Sequence, residues 1–184
     1  VWLNQRPNKN LNSVTKISTN RLLNNQLSFA KFFRFADLSD ILGMQASFFI
    51  ASDIYNSHLN DILYLEGNIA QSFSQSSYIA INGDIEYTAS LIPFEGVTLD
   101  QAHKELKNAI KSLRDKSITK KEIEIARAKN VAYAKSLSQS PRAYLDFFQN
   151  LGSDGLPPVS PKEFAKMIAD APIKDILKII TAFS

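Results

Sequence analysis

The chain has 184 residues, of which 45% are apolar and 21% charged, so it can fold around a core as one domain. Its 21 basic and 18 acidic side chains leave a net charge of +3, which permits an acidic partner without requiring one. The absence of cysteine excludes disulfides, thiolate metal sites and a cysteine nucleophile, and leaves the cellular compartment open.

The first 24 residues are polar and rich in asparagine, and we interpret them as a lead-in that ends in a weak strand near Val14–Ser18. Residues 25–184 are expected to form one domain. Its first element is a half-buried strand at Leu27–Phe35, where apolar and polar residues partly alternate. The initial Val1 indicates a processed or partial chain.

Apolar residues at helical spacing then predict a long buried helix from Leu38 to near Asn56-Ser57, and a short second helix at Leu59–Leu65 that stops at Gly67. Two strands, Ile69–Ile81 and Ile85–Ile92, flank a strong turn signal and predict an antiparallel hairpin.

Helices are predicted over the rest of the chain, each with a local start signal. They begin at Thr98, at Thr119, at Tyr144 after a break at Pro141, at Ser160 and at Pro172. The order of elements predicts an α+β fold, in which helices cover a mostly antiparallel sheet in a single two-layer domain.

The catalytic inventory of the sequence is small. The two histidines, His58 and His103, lie too far apart for a paired-histidine zinc motif on one helix. A Ser-His-Asp site stays open, because its members converge only in space. Six glycines form no P-loop, nucleophile-elbow or dinucleotide-binding pattern, and no apolar run reaches the roughly 18 residues of a membrane span.

Conspicuous side chains have ordinary structural interpretations. His58 follows a predicted helix end, where we expect a cap or surface position, and His103 lies in a charged helix and is expected to be solvated. The lysines and arginine between Lys104 and Lys121 alternate with acids, which predicts a solvated helix face rather than a nucleic-acid site. Five phenylalanines are expected in the core: Phe32, Phe33, Phe35, Phe48 and Phe49.

A collinear series of short motifs resembles the pitrilysin/insulinase family of zinc metallopeptidases. The matching segments are Leu59–Leu65, Glu66-Gly67, Ile69–Phe73, Asn82-Gly83-Asp84, Ile118–Arg127 and Ser138–Pro141. The fifth segment follows the family's Val-Thr-x-x-Glu-Leu-x-x-Ala-Lys helix start. The resemblance extends from about Leu27 to Phe183.

The resemblance implies paired homologous α/β domains that enclose a substrate chamber, with zinc bound in one of them by an inverted H-x-x-E-H motif. This chain has no such motif, so it resembles the C-terminal-type, non-zinc domain. We therefore expect no catalytic residue and no metal ligand in this chain. Zinc is expected in a homologous partner domain, on the same or another polypeptide, and a peptide is the expected substrate.

In the family's non-zinc domain, an Arg and a Tyr often help to hold substrate. They flank the position that corresponds to Glu66-Gly67 here. The Tyr position here is Gln71, and the Arg position is Tyr64, or Leu63 if the extra residue near Asn68 is an insertion. Glutamine retains hydrogen-bonding capacity, but nothing supplies the guanidinium charge. Two alternatives therefore stay open: a pseudo-peptidase subunit with a purely structural role, and a free-standing α+β module that binds anionic ligands.

Overall fold

The computed structural model describes residues 11–17, 26–34, 41–79, 84–115, 117–153 and 156–183. These residues form an α+β domain with an antiparallel sheet and helices, as predicted. The strands are β1 (Leu11–Ile17), β2 (Gln26–Arg34), β3 (Ala70–Ile79) and β4 (Asp84–Pro93). The helices are α1 (Ile41–Asn60), α2 (Leu99–Asp115), α3 (Lys120–Ser136), α4 (Pro141–Ser153), α5 (Pro161–Asp170) and α6 (Ile173–Phe183).

The strands of the described residues lie in the order β1-β2-β4-β3, and each neighbouring pair is antiparallel. Their register places Leu27 beside Leu91 in one row and Ser28 beside Ser90 in the next, with Ser74 on the other side of Ser90. Successive residues of a strand point to opposite faces. The sheet therefore has an apolar face, which the helices cover, and a face rich in hydroxyl groups.

Helix α1 lies between the apolar face of the sheet and the outer helices. Consecutive residues of its middle turns are buried, as a helix packed on most sides requires. The ring of Tyr55 lies 5.2 Å from that of Tyr87 on β4 and 5.1 Å from that of Phe183 on α6. The Tyr55 hydroxyl donates to the carbonyl of Phe183 at 3.1 Å. One aromatic stack thus joins sheet, central helix and final helix.

The predicted capping signals are confirmed. Thr98 N donates to Gln101 Oε1 at 2.8 Å, and Gln101 N donates to Thr98 Oγ1 at 3.2 Å. The same reciprocal pair opens α3 and α5, at Thr119/Glu122 and Ser160/Glu163. The predicted helix start at Tyr144 is wrong, because α4 begins at Pro141, after a short 3₁₀ turn at Leu137–Gln139. Proline fits the first turn of a helix, where its missing N–H has no intrahelical acceptor to lose.

The predicted helix end near Asn56-Ser57 is wrong. Helix α1 runs directly into a π-helical turn, Asp61–Glu66. Leu59 and Leu63, beyond the predicted end, are fully buried. Residues on both sides of the predicted break pack into one core. Continuing the helix therefore buries apolar side chains from both sides, which stabilises the fold. The π-helical turn ends at Glu66, next to Gly67, as predicted.

The histidine predictions also need correction. His58 is only 9% exposed, and its Nε2 lies 3.0 Å from Glu122 Oε1, at the start of α3. Since α1 does not end there, this histidine lies on a packed turn rather than at an exposed terminus. His103 is half-buried with its Nε2 enclosed, because its neighbours Ala102 and Leu106 face the core.

The solvated basic face is confirmed for six described side chains, namely Lys104, Lys107, Lys111, Arg114, Lys120 and Lys121. Phe48 is in the core and Phe49 packs against it, as predicted. The side chains of Phe32, Phe33 and Phe35, that of Lys116, the predicted start of the long helix at Leu38 and the turn at Asn82-Gly83 lie outside what the structure describes. None of the described helices is both long and apolar enough to cross a bilayer.

Candidate functional site

Tyr64 and Gln71, the two positions expected to contact substrate, flank a short link between α1 and β3. Tyr64 lies in the π-helical turn with 42% of its surface exposed, and Gln71 is the exposed second residue of β3. Leu63, the alternative for the first position, is fully buried. Of the two alternatives, only Tyr64 reaches solvent.

The link is tight because the π-helical turn leads the chain straight back to the sheet. Ile69 N donates to the Leu63 carbonyl at 3.1 Å, and Phe94 N donates to the Ile69 carbonyl at 3.0 Å. A Cβ atom at Gly67 would lie 2.2 Å from the carbonyl oxygen of Ile62. Only glycine permits this approach, which gives the Glu-Gly motif a structural cause.

Gln71 occupies a β-bulge. Ala70 pairs with Pro93 and Ser72 pairs with Ile92, so Gln71 has no counterpart on β4. A bulge changes the direction of a side chain and is frequent beside active sites, as are π-helical turns. The two positions expected to contact substrate therefore coincide with two backbone irregularities, neither of which was predicted from the sequence.

The sheet face opposite the helices is a polar surface that sequence reasoning missed. It surrounds a shallow depression of about 420 Å³, whose polar lining is Gln26, Ser28, Ser74, Gln75, Ser76, Thr88 and Ser90. The signal in the sequence is a set of serines spaced by two, which any exposed strand can have. Only the register shows that three strands place their hydroxyl groups on one surface.

Hydrogen bonds connect side chains of this polar surface, but they do not use all of its donors and acceptors. Gln26 Nε2 donates to Ser90 Oγ, and the Ser28 and Ser90 hydroxyl oxygens lie 3.4 Å apart. Thr88 Oγ1 donates to the carbonyl of Ser76 at 3.3 Å. Hydroxyl and amide groups both donate and accept, so this face can bind a polar backbone better than an apolar group.

The segment Ile118–Arg127, the longest match to the family's motifs, has a structural role. It contains the N-cap pair of α3, and Ile123 and Ala126 are buried in the core. The Arg127 guanidinium donates to three carbonyl oxygens at the end of α5, those of Ile168 (3.0 Å), Ala169 (2.6 Å) and Ala171 (2.9 Å). This segment starts one helix and fastens another to it.

No three His, Cys, Asp or Glu side chains in the described part of the chain lie close enough together to hold a metal ion.

No protein-family model matches the sequence, and no curated protein matches it. Solved structures match most of the chain. A chain from Bordetella pertussis Tohama I described as a candidate zinc protease has a TM-score of 0.61 and 18% identity, and the match covers 85% of this chain and 86% of that one. The inactive peptidase domain of a candidate zinc protease from Bordetella parapertussis has a TM-score of 0.61 and 15% identity, with 90% and 88% covered.

The periplasmic protease PqqL from Escherichia coli has a TM-score of 0.66 and 13% identity. The match covers 85% of this chain but 17% of PqqL, so the chain corresponds to one part of that larger protein. Identities this low establish likeness of fold and not of activity. The chain has the pitrilysin-type fold of zinc peptidase domains.

Proposed function

We propose that this chain is a non-catalytic domain of a pitrilysin-type zinc peptidase, and that it pairs with a homologous zinc-bearing domain to enclose and bind a peptide. The observation that carries the proposal is the position of Tyr64 and Gln71 at the π-helical turn and the bulge of this fold. The likeness to an inactive peptidase domain supports it.

The chemistry of the chain fits a binding role. Its two histidines cannot form H-x-x-E-H, so zinc and the hydrolysis of the peptide bond would belong to the partner domain. Gln71 can donate to a peptide carbonyl and accept from a peptide N–H, and the phenol of Tyr64 can do the same. By holding an extended peptide, these groups would orient it toward the partner's catalytic site.

The pairing is tested by purifying the tagged chain from its source and identifying by mass spectrometry what is joined to it or bound to it. We expect a domain that carries H-x-x-E-H in a one-to-one ratio with this chain. We also expect the zinc content of the preparation to be proportional to the amount of that domain. Stoichiometric zinc on this chain alone, lost together with peptidase activity on chelation, would contradict the proposal.

The binding role is tested in the assembled peptidase with Gln71→Ala and Tyr64→Ala. Each variant should lower kcat/KM for a peptide about two- to tenfold, as the loss of one hydrogen bond predicts. The zinc content should not change. Gln149→Ala, a matched change at an exposed position of α4, should leave kcat/KM as it was.

A purely structural pseudo-peptidase domain is the second candidate, and one specific observation favours it. Neither Tyr64 nor Gln71 carries the positive charge that the family's arginine supplies. The double variant Tyr64→Arg, Gln71→Tyr separates the two candidates. A rise in cleavage by the assembled protein supports the substrate-binding role, whereas an unchanged rate supports the structural one.

A further inference from the structure

A second pocket, of about 440 Å³, opens on the helical side of the molecule. Residues of α1, α3, α4 and α5 line it, and it shares no lining residue with the depression on the polar sheet face. Its volume lies within the range of about 300–1,000 Å³ that is typical of small-ligand sites. The proposed pairing and peptide-binding role does not use this pocket.

Four phenylalanines form the apolar wall of the pocket, namely Phe48, Phe49, Phe147 and Phe164. The ring of Phe164 holds the wall together, since its centroid lies 5.6 Å from those of both Phe49 and Phe147. Such edge and tilted contacts fix the rings relative to one another. Aromatic ring faces carry partial negative charge and attract cations.

The polar groups of the pocket add to this negative character. Asp146 lines it with a side chain that is 60% exposed, so its carboxylate lies at the opening. The described lining residues include no lysine, arginine or histidine. Arg142 is the ion-pair partner of Asp146, but the pair is long at 3.8 Å and both groups lie in solvent, where such pairs are weak.

Gln45 is the buried polar group of the wall. It is 8% exposed, and its amide oxygen is enclosed with no hydrogen-bond partner among the described residues. An unsatisfied buried acceptor costs about 1–3 kcal/mol. The terminal torsion of glutamine is soft, so the amide can turn its oxygen toward a donor that enters the pocket.

We propose that this pocket binds a primary amine that carries an apolar group. The ammonium lies between the opening, where it pairs with the carboxylate of Asp146, and the nearest phenylalanine ring, whose face it contacts, and the apolar group packs against the rest of the wall. An ammonium has three N–H donors, so a second one can reach the amide oxygen of Gln45. A carboxylic acid of the same shape would be repelled by Asp146, and a neutral alcohol would gain neither the ion pair nor the cation–π contact.

The test is calorimetric titration of the full chain at low salt with three probes of one shape: phenethylammonium, 2-phenylethanol and 3-phenylpropionate. Phenethylammonium should bind about tenfold more tightly than the alcohol, the sum expected of one exposed ion pair and one cation–π contact. The acid should not bind. Equal affinity for the three probes, or preference for the acid, would overturn the proposal.

Variants locate the binding. Asp146→Asn should lower the affinity for phenethylammonium about fivefold and leave the affinity for 2-phenylethanol unchanged, since only the ion pair is lost. Glu95→Gln, which removes an exposed carboxylate that does not line the pocket, is the matched control. Gln45→Met keeps the side-chain volume and should lower amine affinity about threefold while the protein stays folded. If Asp146→Asn behaves like Glu95→Gln, the site is wrong.

Two sources of the amine are distinguished by a fourth probe, acetyl-phenylalanyl-lysine amide. If it binds more tightly than phenethylammonium and responds to Asp146→Asn, the pocket takes a lysine side chain of a peptide. If phenethylammonium binds more tightly, the pocket takes a free organic amine. Failure of both to bind would refute the proposal.

Discussion

At the scale of single residues, Arg127 shows how one side chain joins two helices. It extends from α3 to the last carbonyl groups of α5, which lack the usual i+4 donors, although that of Ile168 also accepts from the N–H of Ala171 at 3.3 Å. The guanidinium offers several donors in one plane and keeps its charge, so one residue can satisfy several of these carbonyls. The family motif that ends at this residue thus encodes a helix contact.

We expect Arg127→Ala to lower the free energy of unfolding by about 2–3 kcal/mol, because carbonyl acceptors in a partly buried place lose a charged donor. Urea denaturation measures the loss. Arg127→Lys should restore only part of it, since an ammonium lacks the planar fork. Lys135→Ala, on the exposed surface of the same helix, should change stability by less than about 0.5 kcal/mol. Equal effects of Arg127→Ala and Lys135→Ala would contradict this role.

At the scale of elements, the connection from α1 to β3 depends on the absence of a side chain at Gly67. Gly67→Ala would place a Cβ against the Ile62 carbonyl oxygen, and we expect a loss of about 1–3 kcal/mol. Gly152→Ala is the matched control, because a Cβ there meets open space within α4. It should stabilise the protein by about 0.5–1 kcal/mol, since alanine is the better helix former. In thermal unfolding, Gly67→Ala should lower the melting temperature and Gly152→Ala should raise it.

The start of α5 gives a prediction about pH. The hydrogen bond from the Ser160 side chain lowers the pKa of Glu163 below its ordinary value, and a bond from the Ser160 backbone N–H adds to this. The contribution of Glu163 to stability is therefore present above the carboxyl's ordinary pKa, and it is lost as pH falls through the lowered pKa.

Ser160→Ala should move the pKa of Glu163 back toward its ordinary value, and Ser160→Thr should keep it low because the hydroxyl remains. An NMR titration of the Glu163 carboxyl measures both. A pKa that does not respond to the loss of the hydroxyl would show that the capping pair does not form in solution.

At the scale of the whole molecule, the stack of Tyr55, Tyr87 and Phe183 joins the layers, and its two hydroxyl groups differ. That of Tyr55 donates to the Phe183 carbonyl, whereas that of Tyr87 is enclosed without a hydrogen-bond partner among the described residues. Tyr55→Phe should cost about 1–2 kcal/mol, because a buried carbonyl loses its donor. Tyr87→Phe should cost nothing or stabilise the fold. Equal losses in chemical denaturation would contradict this account.

The same stack predicts behaviour in alkali. Burial raises the pKa of Tyr87 well above the ordinary 10.0, and the neighbouring Tyr55 raises it further. The unfolded chain releases this proton first, so the stability contributed by neutral Tyr87 is present below pH 10.0 and declines as pH rises above it. Tyr87→Phe should remove this part of the alkaline decline, as stability measured across the pH range would show.

Much of the fold could be predicted because its signals are local. The capping pairs at Thr98, Thr119 and Ser160 and the helix break before Pro141 each depend on about four neighbouring residues, which the sequence displays directly. The series of motifs also pointed to the pitrilysin-type fold, and two of its segments, Ile118–Arg127 and Ser138–Pro141, contain such local signals. Of the candidate site, the sequence supplied the two positions Tyr64 and Gln71, but nothing of their geometry.

By itself, then, the sequence determined where the capped helices α2, α3 and α5 begin, the α+β class and the lack of an H-x-x-E-H zinc motif in this chain. Only the tertiary structure decided that α1 continues past Ser57, that His58 meets Glu122, that Gln71 forms a bulge and that the strands align their serines. Each of these depends on contacts between residues far apart in the chain. Register and burial are set by how elements pack together, and a local pattern of residue types does not encode them.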